Sequence, residues 1–295
     1  MKKIYSVFLC VTLVVMLNGC TGCKEVNTLV NLTPPNGIYD QLVLDTTFLT
    51  ATFPAAQPKN VLIEDFTGEK CDNCPRAQAR GVTVVETNPG RVSVLGIQCA
   101  PPLDNPYFSS FDLRTKHGDD LLGLEASNVT GLPTGDVDRK IYSGNPNSLI
   151  SDFIWPSTTT SELALPTIAN IDSFSKSYDP AGRIFSLKQN VTFTKASTDT
   201  FYYSAAIIES GMVGLQLTPT NVDSHFVFQH VLRKMIEPWN GLNIANGPAA
   251  GKTCRVSFST ILPSNWVADS CRVVTFVHRR GAKNDVEQVK ETTIK

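Results

Sequence analysis

Two rhythms of apolar residues divide the chain. "NVLIEDF" (60–66) and "RVSVLGIQC" (91–99) are unbroken apolar runs bounded by turn residues, the pattern of strands buried on both faces. Between them Ala77, Gly81, Val84 and Val85 recur at helical spacing. Pro75 suits a helix's first turn, and "NPG" (88–90) ends it. A strand–helix–strand unit of this length predicts parallel pairing through a right-handed crossover. "TGLPTGDVDRKIY" (130–142) leads into a further strand, and a short helix is expected around Ser148–Ile154, ending at Pro156. From about Thr167 the period becomes two. Phe185, Leu187, Val191 and Phe193 share one face, while Ser186, Lys188, Asn190 and Thr192 share the other, as in a half-buried antiparallel strand. "FYYSAAIIES" (201–210), "TCRVSFSTI" (253–261) and "CRVVTFVHRR" (271–280) repeat that texture between turn-rich loops. The pattern therefore predicts an α/β unit over 58–165 and an all-β sandwich over 166–295. A β-prone segment, Tyr39 to Phe53, is expected to add an edge strand.

Before that segment the chain changes character. Lys2 and Lys3 precede an apolar run from Ile4 to Leu17, which reads as a secretory signal over residues 1–19 and not as a membrane span. Leu17-Asn18-Gly19-Cys20 resembles the lipobox of bacterial lipoproteins, which implies acylation of Cys20, with residues 20–57 as a lipid-anchored tether and the edge strand. An acyl anchor would hold the protein on a membrane without any span. The formal net charge is -1 and no basic stripe occurs, so nucleic acid is excluded as a partner on electrostatic grounds.

Export places the cysteines in an oxidising compartment. Of eight, Cys10 and Cys20 belong to targeting and six remain. In "EDFTGEKCDNCPRAQ" (64–78), Cys71 and Cys74 have C-x-x-C spacing at a strand-to-helix junction. A helix N-terminus lowers a thiol's pKa through its unpaired amides. Cys71 is thus expected as the exposed attacking thiol and Cys74 as the resolving one. Asp65 lies inside the apolar strand, where burial would raise its pKa and let it relay the resolving thiol's proton. Leu132-Pro133-Thr134 stands before the next strand. A cis Pro133 there would press on the sulfurs, with the backbone of Leu132 and Thr134 docking an extended substrate.

These residues resemble the thioredoxin superfamily over about 58–165, which implies a thioredoxin-like α/β domain followed by the β-sandwich. Asp72-Asn73 stands in place of that superfamily's familiar Gly-Pro, and Lys70 in place of its aromatic. A carboxylate beside the thiol should make Cys71 less acidic and the couple more reducing. "LIEDFTGEKCDNCP" and "HFVFQHVLRKMIEPWNG" also resemble signature segments of the 28-kDa outer-membrane protein family of Gram-negative bacteria. That resemblance implies a lipid-anchored envelope protein of the outer membrane, on its periplasmic face or at the cell surface. Two functions follow as expectations. The first is thiol–disulfide exchange with exported proteins bearing thiols or disulfides. The second is a surface binding or adhesion module for an unknown ligand, with the C-x-x-C a structural or vestigial disulfide.

The remaining candidates are weaker. Cys254 and Cys271 head two sandwich strands with core-facing side chains, so a structural disulfide between them is expected. Cys99 is expected to be a buried free thiol or a third exchange partner. No second C-x-x-C accompanies the first, and His225 and His230 fall on different faces of any element, so no metal and no cofactor are expected. "GPAAGKT" (247–253) imitates a phosphate loop but has one residue too few and feeds a strand, so it reads as a hairpin turn.

Overall fold

In a computed structural model the described residues are 38–107, 111–125, 129, 131–281 and 284–295. Cys10, Cys20 and Cys23 lie outside them. The first strand, β1 (Val43–Leu49), is the edge of a four-stranded sheet. Then come β2 (Val61–Thr67), α1 (Cys74–Thr87) and β3 (Val92–Gln98), with β2 and β3 parallel from Val61–Val92 to Thr67–Gln98. A short α2 (Gly118–Glu125) precedes β4 (Thr134–Val137), which runs antiparallel to β2. The helix expected to end at Pro156 instead begins there. A single 3-10 turn at Asp152–Ile154 leads into α3 (Trp155–Leu163), because proline is tolerated in a helix's first turn and Ser151 Oγ accepts from Phe153 N.

Ten strands follow: β5 (Ala169–Asp179), β6 (Ile184–Phe193), β7 (Thr200–Glu209), β8 (Met212–Leu217), β9 (Val222–Phe228), β10 (Val231–Met235), β11 (Leu242–Asn246), β12 (Lys252–Ile261), β13 (Cys271–Arg279) and β14 (Val286–Thr293). The small sheet has the order β1-β12-β6-β5. The large one has the order β14-β13-β7-β10-β3-β2-β4, with β11 also on β7. β8 and β9 pair only with each other.

The large sheet crosses the line between residues 165 and 166. β10 joins β3 in parallel at Val231–Gly96 and joins β7 antiparallel, so strands from both parts of the chain form one surface. The Gly96 N–H donates to His230 O at 2.8 Å, and a Cβ at Gly96 would stand 3.3 Å from that same oxygen. Close approach of two backbones is the use of glycine in this strand. The described residues all belong to one compact unit.

Two strands expected to be half-buried are buried on both faces. β7 and β13 form a middle layer. Phe201, Tyr203, Ala205, Ile207, Val273 and Val277 face the small sheet, while Ala206, Ile208, Val274 and Phe276 face the core beneath β2 and β3. The unbroken Ala205-Ala206-Ile207-Ile208 run is the trace of this in the sequence. On the far side of β2 and β3, α1 and α3 cover Val61, Ile63, Val92 and Val94 with Ala77, Val84 and Trp155.

Two further expectations are overturned. Cys254 and Cys271 are both buried free thiols. β12 pairs with β1 and β6, while β13 pairs with β7 and β14, so the two cysteines belong to different sheets and not to neighbouring strands. Cys254 Sγ donates to Ile244 O at 3.1 Å instead. "GPAAGKT" is not a hairpin turn: β11 and β12 lie in different sheets, and the segment carries the chain between them.

Candidate functional site

The site grows from the C-terminal end of β2. That strand is buried along nearly its whole length, and its register puts Phe66 opposite Thr134. Residues 132–134 therefore stand beside the strand end from which Gly68, Glu69 and Lys70 lead to Cys71. The Leu132–Pro133 peptide is cis, and Leu132 packs against the core that holds Phe66 and Ile97.

Cys71 and Cys74 are joined in a disulfide with their Cα atoms 5.4 Å apart. α1 starts at Cys74, so Cys71 occupies the turn before the helix and not its first residue. The Cys74 N–H donates to Cys71 O at 3.3 Å. The expectation of an exposed Cys71 is overturned. It is 3 % exposed and Cys74 is 1 % exposed. The cause is the β8–β9 hairpin, which lies over the turn. Gln216 Nε2 donates to Cys71 O at 2.9 Å and to Gly68 O at 3.2 Å, and the Leu217 N–H donates to Glu69 O at 2.8 Å. On the other side the Lys70 N–H donates to Leu103 O at 2.8 Å.

Beneath the disulfide is a cavity of about 10 Å³, room for a single water molecule. Asp65, Cys74, Gln98, Gln216, Phe226 and Phe228 are among its walls. Asp65 is buried, and among the described residues no hydrogen-bond partner reaches its Oδ1. Burial first, and the charge of Asp152 second, raise its pKa to about 8. Asp152 is itself buried and ion-paired to Arg76 at 3.1 Å and Arg80 at 2.9 Å. Asp65 thus holds a proton at neutral pH, on the side of the disulfide where Cys74 lies.

A stability effect follows. The folded pKa of Asp65 lies above its unfolded value of 3.8, so its contribution is fully present below about pH 4 and is lost as pH rises towards 8. Asp65→Asn removes that loss. The variant is expected to melt at or below wild type at pH 4 and above it at pH 9, by up to a few kcal/mol. Melting curves that stay parallel from pH 4 to pH 9 would refute the buried acid.

Cys99 follows β3, wholly buried, with its thiol pushed far up by burial and by Asp119. A thiol held protonated this firmly is a poor nucleophile. His225 is exposed on β9. His230 is half-buried, and desolvation lowers its pKa to about 4. Among the described residues no cluster of three His, Cys, Asp or Glu side chains could hold a metal ion, and no helix is long and apolar enough to cross a membrane.

Gln216, Gln78 and Asp152 bear on the site and escaped the sequence. Gln216 offers no local signal, because a glutamine in a short alternating strand looks like any solvent-facing residue. Glu64 did leave a trace. A second acid inside a strand buried on both faces demands a partner, and it has one in Arg139 at 2.6 Å.

The described residues are thus those of a β-rich protein, with one strand–helix–strand crossover presenting a covered disulfide at the sheet's end. The model of the Outer membrane protein Omp28 family matches residues 124–295, more than half of the chain. The chain belongs to that family, and its place is the cell envelope, at the outer membrane. The matched span contains "HFVFQHVLRKMIEPWNG" but not "LIEDFTGEKCDNCP".

Among solved structures, HBP35 of Porphyromonas gingivalis has a TM-score of 0.63 at 15% identity, over 82% of this chain and 77% of that one. A domain of the outer membrane lipoprotein Omp28 from the same organism has a TM-score of 0.29 at 16% identity, over 43% of this chain and 88% of that one. No curated protein matches. The first likeness is one of fold alone.

Proposed function

We propose that residues 58–165 are a thioredoxin-like unit which exchanges thiols and disulfides with exported proteins, and that residues 166–295 are the β-rich part it is built upon. In this reading Cys20 carries the lipid anchor, after removal of a signal over 1–19, and residues 20–57 are the tether and the edge strand β1. The observation that carries the reading is the cavity shared by Asp65 and Cys74. A protonated carboxyl and the sulfur that must leave line one small cavity, at the sheet end where the cis Pro133 loop also stands.

The step balances as follows. One thiolate of a partner dithiol attacks Cys71 Sγ; the Cys71–Cys74 bond breaks, and Cys74 leaves as a thiolate that takes the proton of Asp65. The partner's second thiolate then attacks its own sulfur in the mixed disulfide and releases Cys71. The partner becomes a disulfide, two electrons pass to the cysteine pair, and Cys71, released as a thiolate, takes a proton from solvent to complete the dithiol. Run backwards, the same steps reduce a partner disulfide. Leu132 and Thr134 would hold the partner's backbone.

With dithiothreitol as the electron source, wild type is expected to reduce insulin. Cys71→Ser should lose that activity, and Cys74→Ser should accumulate mixed disulfides on gels run without reductant. Unchanged turnover in Cys71→Ser sinks the reading.

A second reading has one observation in its favour: the family match excludes both cysteines of the pair. The β-rich part would then bind a surface ligand, with the disulfide incidental. A Cys71→Ala, Cys74→Ala variant that retains the protein's cellular phenotype would decide for it.

A further inference from the structure

We propose that the β8–β9 hairpin is a lid that governs access to the Cys71–Cys74 disulfide, latched shut by Gln216 and Gln78. The inference rests on the exchange reading for its purpose, but not for its test. A thiolate attacks a disulfide along the sulfur–sulfur axis and needs open space there, and the two sulfurs belong to residues 3 % and 1 % exposed. In this conformation the site is shut.

What shuts it is an element with no partner among the other described strands, held at its root by Met212, Phe226 and Phe228, which pack with Leu113 and Val231. β8 and β9 pair with each other from Met212–Phe228 to Leu217–Val222 and with no other described strand. A two-stranded hairpin standing alone has little stability of its own. Its outer side is open, with Val213 50 %, Val222 42 % and Val227 43 % exposed. Its inner side is the roof of the small cavity, where Phe226 and Phe228 stand beside Gln216.

The latch has two points. At the first, the Gln216 side chain donates to the carbonyls of Gly68, Cys71 and Leu217, and the Leu217 N–H donates to Glu69 O. Three carbonyls of the turn, those of Gly68, Glu69 and Cys71, thereby accept from the hairpin. At the second, on α1, Gln78 Nε2 donates to Val227 O at 3.0 Å and Gln78 Oε1 accepts from the Gln229 N–H at 3.2 Å. Both points are neutral hydrogen bonds, each worth little net, and they can part while Met212 and Phe228 stay packed on Leu113 and Val231 at the hairpin's root. The strands that flank the hairpin in sequence, β7 and β10, belong to the large sheet. The hairpin can therefore swing away while its roots stay fixed, a distribution of stability common in elements that must move.

The test is the rate at which excess dithiothreitol reduces the full chain, followed by alkylation of the released thiols. Gln216→Ala is expected to be reduced about tenfold faster than wild type, equivalent to ~1.4 kcal/mol of lid closure. Gln78→Ala, one helical turn beyond Cys74 and a wall of the same cavity, removes the second latch point and should speed reduction several-fold. In wild type, amide hydrogen exchange over 212–228 should run ahead of that in β7 and β10. Equal reduction rates in all three proteins, or hairpin amides exchanging no faster than β7, overturns the lid. If Gln216→Ala does not fold, Gln78→Ala and the wild-type exchange pattern decide. Faster reduction in the variants without any insulin turnover would sustain the lid and remove the exchange reading.

Discussion

Arg139→Ala is expected to cost about 3–5 kcal/mol and lower the melting temperature by roughly 10 °C, because it strands buried acids without their cation. Arg139 is buried between elements. Its Nε and Nη2 each lie 2.6 Å from Glu64, its Nε is 3.7 Å from Glu125, and its guanidinium rests 5.1 Å above the Phe276 ring. Asp136 Oδ1 accepts the backbone N–H of Arg139 at 2.8 Å. Three buried carboxyl groups thus share one cation. Burial raises the pKa of Glu125 and of Asp136, and the charge of Glu64 raises both further, against the pull of Arg139. Without the cation all three must take up protons or remain charged in a low-dielectric interior. The deficit should therefore shrink as the pH falls towards 4, and Arg139→Lys should fall between wild type and alanine. A melting point within about 2 °C of wild type at pH 7 would mean that the acids are already neutral.

The second large effect is expected at Gly135. A Cβ there would collide with the carbonyl oxygen of Glu64 and lie 2.5 Å from Cζ2 of Trp155. Neither neighbour can yield. One is the backbone of the buried strand β2, and the other is a fully buried indole that packs between α3 and β2. Gly135→Ala should cost about 3 kcal/mol or more in urea unfolding, at the upper end for overpacking, since β4 must move off β2 to make room. The Ile150 N–H, which donates to Gly135 O at 2.7 Å, would move with it. Because β4 follows directly on Pro133, the same variant should also disturb the loop beside the disulfide. A loss below about 0.5 kcal/mol would show that β4 is loosely held.

How much of this was written in the chain depends on the distance over which each feature is decided. The crossover from β2 through α1 to β3 was legible, because every signal for it is local: two apolar runs, a proline at the helix start, "NPG" at its end. The C-x-x-C spacing put Cys71 and Cys74 together for the same reason, and the acid in "LIEDF" foretold a buried carboxyl at Asp65. Partners chosen at long range left no such mark. β3 and β10 are joined through Gly96 and Val231, and nothing near either residue names the other. Cys254 and Cys271 carry the periodicity of core-facing positions, which is correct, but periodicity says nothing of which sheet a strand joins. The lid was hidden for a further reason. Its strands are short and largely half-buried or exposed, so their pattern is that of ordinary surface structure until the turn beneath them is seen.

The double service of β7 and β13 has a consequence for how the molecule fails. Each strand lends alternate side chains to two different interiors, so a void opened behind Ala205 and one opened behind Ala206 weaken the same hydrogen-bonded ladder. Neither interior can melt and leave the other standing, and heat should dismantle the described residues cooperatively, in a single transition.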